Sequence, residues 1–240
     1  MGPKRVSSKQ NPNPIARLLQ ISARNGFRQA YLQVRLDPDK YLREVQRQSL
    51  LPIKSWGDAR YLHENELAPH ANRIITKSSR TAALEGLGLG MGGFSTLLPD
   101  MGILAAITVR MLQRLSLTYG FEYSTDEEIT GFWLAAATAA GVDLGRDFLE
   151  KQAIERMAPR IVDQIAVKVG AEVAEKWAAR IVPIVSAGAA ATINYYFVRA
   201  WGRRAQKHFL DRRQSLRANI YASRSPSLAV RLRLDETGAN

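Results

Sequence analysis

The sequence predicts an all-α protein: a single multi-helix domain with Gly/Ala-rich apolar inner helices and flexible N- and C-terminal tails. Three observations predict it. Apolar residues recur at three- and four-residue spacing in nearly every segment, as expected of helices that bury one stripe. Helix-start signals repeat along the chain, at Asn13-Pro14, Asp37-Pro38, Pro99-Asp100 and Ser124 to Glu127, where a side-chain oxygen or a proline ring suits the unpaired first turn. Sustained alternation is confined to Leu228, Val230, Leu232 and Leu234, and one isolated strand cannot make a sheet.

Residues 1–13 are polar and rich in Pro and Asn, a flexible tail without the apolar core of a secretory signal. Val6 stands where the myristoylation pattern wants Ser or Thr. Asn13-Pro14 opens a helix whose apolar face is Ile15, Leu18, Leu19 and Ile21. Asp37-Pro38-Asp39 opens the next, through Tyr41, Leu42 and Val45, with Pro52 as its end. Lys54 to Asp58 reads as a loop, with Asp58 as the cap of the next segment. From Ala68 to Leu98 the chain is apolar and rich in small residues, and it includes the run GLGLGMGG of Gly86 to Gly93.

Pro99 fits the first turn of the next helix, and Asp100 complements its N-terminal dipole. Leu104, Ile107, Met111 and Leu115 line one face, and Arg110, Gln113 and Arg114 another; Gly120 is the stop. Ser124-Thr125-Asp126-Glu127 reads as a capping box for a helix carrying Ile129, Phe132, Trp133 and an alanine run to Gly141. Another helix begins near Asp143, with Pro159 kinking or dividing it. A long segment then runs from Gly170 towards Leu216, interrupted at Pro183 and softened at Gly188. The organisation expected is a tail (1–13), basic N-terminal helices (14–50), a helical domain (51–215) and a basic C-terminal tail (216–240).

The 240 residues include no cysteine, which excludes disulfides, thiolate nucleophiles and Cys-type zinc sites. The formal net charge of +12 is distributed as +8 over residues 1–60, −3 over 61–198 and +7 over 199–240. Basic ends around a slightly acidic apolar centre point to a polyanionic partner or to a solvated basic surface. The longest uncharged run, 181–198, spans 18 residues and contains Pro183, Ser186, Thr192 and Asn194, while Pro99-Asp100 breaks the 86–109 region. A spanning helix needs about 20 predominantly apolar residues, so buried core helices are favoured over a membrane hairpin.

After this run, Phe197, Trp201, Ala205 and Phe209 recur at every fourth position, beside a basic row of Arg199, Arg203 and Lys207. Arg204, Arg212 and Arg213 extend the charge. Aromatic and long basic side chains together suit the headgroup layer of an anionic membrane, with Trp201 and these cations as the contacts. The alternative is an aromatic stripe packed on the protein's own core. Nucleic acid is the less favoured partner, since no recognised binding motif is present.

No reaction is legible. Gly88-Leu89-Gly90-Met91-Gly92-Gly93 matches a dinucleotide fingerprint formally, but a helical segment precedes it and no Walker lysine follows. His63 and His70 lie seven apart around Pro69, form no HExxH face, and read with His208 as surface residues. Ser95 has no GxSxG context. Asp100 reads as a helix-start carboxylate, with a buried acid as the alternative. Asn194, within an apolar run, needs partners if buried, and the surroundings of Asp100 or Tyr119 are its candidates. No cofactor or metal is implied.

The order of these pieces resembles the EcsC family of bacterial proteins: a glycine-rich apolar segment, Leu98-Pro99-Asp100, and a helix ending in Leu117-Thr118-Tyr119-Gly120. A helix with a charged start comes after it, then an apolar helix bearing Asn194-Tyr195 and trailed by Arg203-Arg204-Ala205. The resemblance covers roughly residues 50–212 and leaves the basic N-terminus and the tail after Arg213 outside. It implies a mostly helical protein, related to one encoded beside an ABC transporter, in a peripheral or membrane-linked setting and without an established reaction. The positions that carry over are Pro99, Asp100, Tyr119, Gly120 and Asn194. Composition and resemblance together lead to a non-enzymatic accessory protein on the inner face of the membrane. Its expected partners are the anionic membrane surface and a transport or secretion complex. A lipid-acting or other hydrolase using a buried polar site near Asp100 is the alternative, and non-specific nucleic-acid binding through the basic ends the second.

Overall fold

The computed structural model describes residues 36–90, 97–142 and 187–224, with isolated positions at 21, 25, 161, 163–165, 167 and 168. The tail over 1–13, the helix from Pro14, the Ser95 context, the turns at Pro159 and Pro183, and the alternating 228–234 segment lie outside the described residues. Among the described residues every regular element is helical: α1 (Pro38–Arg47), a 3-10 turn (Trp56–Arg60), α2 (Glu64–Gly90), α3 (Leu97–Thr118), α4 (Asp126–Ala140) and α5 (Ala187–Arg224). The all-α expectation holds.

Local chemistry sets the boundaries. Asp37 caps α1, its Oδ1 accepting from the N–H groups of Asp39 and Lys40. The helix ends at Arg47, short of Pro52; Ser49 takes φ 49° and turns the chain first. Asp58 caps backwards rather than forwards, its Oδ2 accepting from Lys54 and Ser55 N–H. The capping box of α4 sits one residue later than expected: Thr125 accepts from Glu128 N–H while the Glu128 carboxylate accepts from Thr125 N–H. Helix α5 runs past residue 216 to Arg224, so the expected C-terminal tail begins inside a helix.

Side-chain pairs give the topology. Arg203 on α5 meets Asn72 on α2, while Arg213 meets the backbone of Arg60 and Leu62, so α2 and α5 run antiparallel. Gly202 lies against Ile75 and Met111. Gln206 meets Tyr119 and Phe209 stacks on Phe121, so α3 runs parallel to α5. Arg204 reaches Ala139 on α4, and Gly131 lies against Arg212, so α4 is antiparallel to α5. The α2–α5 contact is the most extensive. A Cβ at Gly202 would sit 2.8 Å from Ile75 Cγ1 and 3.0 Å from Met111 Sδ; the missing side chain lets α5 settle between α2 and α3.

Leu67, Ile75, Met111, Leu112, Leu115, Trp133, Trp201 and Phe209 are among the large fully buried side chains of a continuous core, and Ala135, Ala136, Ala137, Ala139 and Ala140 are buried around more than half the circumference of α4. Two expectations fail here. Gln113 does not belong to a polar outer face: it is buried, its Oε1 accepting from Leu36 N–H. His70 is buried too, because it lies on the same stripe of α2 as Leu67 and Ile74.

Candidate functional site

The Tyr119-Gly120 motif is a helix terminus. Phe121 N–H donates to Ser116 O and Gly120 N–H to Leu117 O, the paired bonds of a Schellman stop, with Gly120 at φ +83°. The Arg60 guanidinium donates from Nε to Gly120 O at 2.7 Å. Tyr119 is buried; its hydroxyl accepts from Gln206 Nε2 at 3.2 Å, and burial pushes its pKa up. Phe121 is covered by cations, Arg212 at 4.4 Å and Arg60 at 5.7 Å from the ring centroid. Arg213 donates to Arg60 O at 3.2 Å and to Leu62 O, and burial lowers its pKa. Helix α5 is thereby fastened, about three turns before its C-terminal end, to the segment before α2.

The other motif positions are at the opposite end. Pro99 and Asp100 lie in the first turn of α3, their side chains outside the described residues. Nineteen residues of helix rise separate Asp100 from Tyr119, about 28 Å. Asn194 is buried on α5, twelve residues before the Tyr119 partner Gln206, about 18 Å along the axis. A link from Asn194 to Tyr119 is therefore excluded by distance, whereas Asn194 shares the Asp100 end of the bundle. The five motif positions do not form one pocket.

The basic helix divides differently from its sequence reading. Phe197, Trp201, Ala205 and Phe209 all face the core; Trp201, expected at a membrane surface, is 1% exposed. Arg213 is likewise internal, and Arg212 is half-buried on Phe121. Arg199 leans on its neighbour, donating to the Tyr195 hydroxyl at 3.1 Å. Arg203, Arg204 and Lys207 are exposed, although Arg203 bonds Asn72 and Arg204 bonds Ala139 O.

Two features escaped the sequence reading. The first is a buried polar pair: His70 Nε2 and the Tyr41 hydroxyl are 3.2 Å apart, and the Arg114 guanidinium lies 5.5 Å from the Tyr41 ring. Burial, with the Arg73 and Arg114 cations, pushes His70 down to about 4, and burial pushes Tyr41 up to about 12. The hint was the helical spacing of His70 with Leu67 and Ile74. The second is the outer face of α2, where a shallow groove of about 510 Å³ is lined by Asn72, Arg73, Thr76, Lys77, Arg80, Thr81 and Leu84. Arg73, Lys77, Arg80, Leu84 and Leu87 lie along one exposed stripe, which the same 3.6-residue count could have found.

Among the described residues no cluster of three or more His, Asp or Glu converges to hold a metal, and no helix is long and apolar enough to cross a membrane. Fold and surface together define, among the described residues, an antiparallel helical bundle with a mainly apolar core and cationic outer faces on α2 and α5. The chain belongs to the EcsC protein family, whose sequence model matches residues 4–213. That match reaches back through the basic N-terminus, which the resemblance had left outside, and ends where the C-terminal tail was expected to diverge. Comparison with curated proteins and with solved structures gives no significant match.

Proposed function

We propose that this EcsC-family protein is a non-enzymatic, peripheral membrane accessory protein. It docks on the anionic inner face of a bacterial membrane, beside a transport or secretion complex. The observation that carries the reading is the α2 stripe, in which exposed Arg73, Lys77 and Arg80 line a shallow groove that ends on Leu84. Exposed Arg203, Arg204 and Lys207 on α5 add to this charge. Cations over anionic lipid are worth about 1 kcal/mol each, so the α2 set alone supplies on the order of 100-fold in partitioning. The exposed heads are long Arg and Lys side chains, whose stems suit an interface while the charge stays hydrated.

The test is co-sedimentation with vesicles of phosphatidylglycerol and phosphatidylethanolamine, against purely zwitterionic vesicles. Binding to the anionic vesicles that weakens with salt is expected. Equal failure to bind either kind at low salt refutes the reading. Steep salt-dependent retention of DNA in place of vesicle binding would favour the nucleic-acid reading instead.

A further inference from the structure

The groove on α2 presents donors without a carboxylate among them. Arg73, Lys77 and Arg80 stand at i, i+4 and i+7 on its wall, with rises of about 6 and 4.5 Å between them. All three are exposed, and their side chains make no hydrogen bond or ion pair with another described residue. Asn72 also lines the groove. Its Oδ1 accepts from Arg203 Nη1 on α5 at 2.6 Å, which assigns its Nδ2 as a donor.

The packed helices leave this charge uncompensated. No Asp or Glu occurs on α2 from Leu67 to Leu84, on α3 from Gly102 to Thr118, or on α5 from Ala187 to Leu210. Helix α2 runs opposite to the other two, with Asn72 against Arg203 and Gly202 against Ile75 and Met111. The three carboxylate-free stretches therefore lie alongside one another, and Glu85 follows only beyond Leu84. Other cations of the surface are placed differently. On α1, Lys40 and Arg43 share their turns with Asp37, Asp39 and Glu44. On α5, Arg203 and Arg204 are hydrogen-bonded to Asn72 and Ala139 O.

Resting on the membrane-surface reading above, we propose that the groove is a headgroup site selective for a phosphate monoester, the terminal phosphate of phosphatidate. A monoester carries about −1.5 to −2 at pH 7 and presents three terminal oxygens. A diester such as phosphatidylglycerol presents two, with a single charge. Arg73, Lys77 and Arg80 supply three cationic groups, which the monoester engages in full and the diester leaves one short. Bonds between ionised donors and phosphate oxygens are the strong ones, and the guanidinium fork fits them. Leu84, 67% exposed, lines the same groove and offers an apolar contact to the glyceride part, which favours a lipid over a free phosphate. The charge of the surface attracts any anionic membrane, and the groove chooses the headgroup.

The test compares phosphatidylcholine vesicles containing phosphatidate or phosphatidylglycerol, matched in surface potential by electrophoretic mobility. Partitioning about tenfold or more in favour of phosphatidate is expected, the worth of one further charge-assisted hydrogen bond. The double variant Lys77→Gln/Arg80→Gln, altering exposed side chains only, should keep its circular dichroism and bind the two vesicles equally. Arg47→Gln/Lys54→Gln removes the same charge elsewhere and should keep the wild-type ratio. Equal binding of both vesicles by wild type, or an undiminished preference in Lys77→Gln/Arg80→Gln, overturns the groove site while the membrane reading stands. If wild type binds neither vesicle, both fall. Glycerol 3-phosphate in solution checks the source: if it displaces the protein from phosphatidate vesicles as effectively as dihexanoylphosphatidate does, the groove takes a free phosphate and the lipid assignment fails.

Discussion

Replacing Gly120 with alanine tests the description of the α3 terminus. Gly120 has φ +83°, a conformation that costs a residue with a Cβ about 1–2 kcal/mol. The new methyl would also lie 2.5 Å from Arg60 Cγ and 3.1 Å from both Arg60 N and Trp56 O. Backbone atoms of the 3-10 turn cannot swing aside as a side-chain tip would, so overpacking adds about 1–3 kcal/mol. Gly141 supplies the control: its φ is +70°, but among the described residues its added methyl meets only Arg204 Nη1, at 3.7 Å. Gly141→Ala therefore carries the conformational cost alone, about 1–2 kcal/mol, against about 2–5 kcal/mol for Gly120→Ala. For a chain of this size each kcal/mol moves Tm by about 2–4 °C. Thermal melts monitored by circular dichroism should show losses of about 2–8 °C at Gly141 and about 4–20 °C at Gly120. A Gly120→Ala loss no larger than that of Gly141→Ala would refute the account of the turn packed over Gly120.

The same geometry sets three further outcomes. Arg213→Met keeps much of the side-chain volume but deprives Arg60 O and Leu62 O of their donor; urea titration should show a loss of about 1–3 kcal/mol for each carbonyl left unpaired, with Arg213→Lys recovering part of it. His70 binds its proton less readily folded, at about 4, than unfolded, at 6.5. Unfolded chains then hold more protons across that window, so stability falls with pH from about 6.5 towards 4, by up to about 3 kcal/mol, and His70→Gln should flatten that part of the stability–pH curve relative to wild type. Trp201→Ala should cost about 3–5 kcal/mol of stability as a buried large-to-small change, whereas Trp201→Phe, if folded, should bind anionic vesicles like wild type; selective loss of binding would restore a headgroup role.

The sequence reading was strongest where the physics is local. Asp37 capping α1, the Pro99 turn and the Gly120 stop depend on a few neighbouring atoms, and each stands where its residues suggested. The α4 box slipped by one residue because Ser124 and Thr125 are both competent caps; the Glu128 carboxylate turns back and selects Thr125. The family match likewise reaches residues that the motif order alone had not included.

Helical character, the apolar stripes and the charge of the two ends were written in the chain, because periodicity and capping are set within a turn or two of backbone. Which face of each helix meets another was left to long-range packing. Phe197, Trp201, Ala205 and Phe209 read equally well as a membrane face or a core face until α2, α3 and α4 packed against α5 and buried them. Arg213 changed from a surface cation to an internal clamp because the carbonyls it serves lie some 150 residues away in the chain.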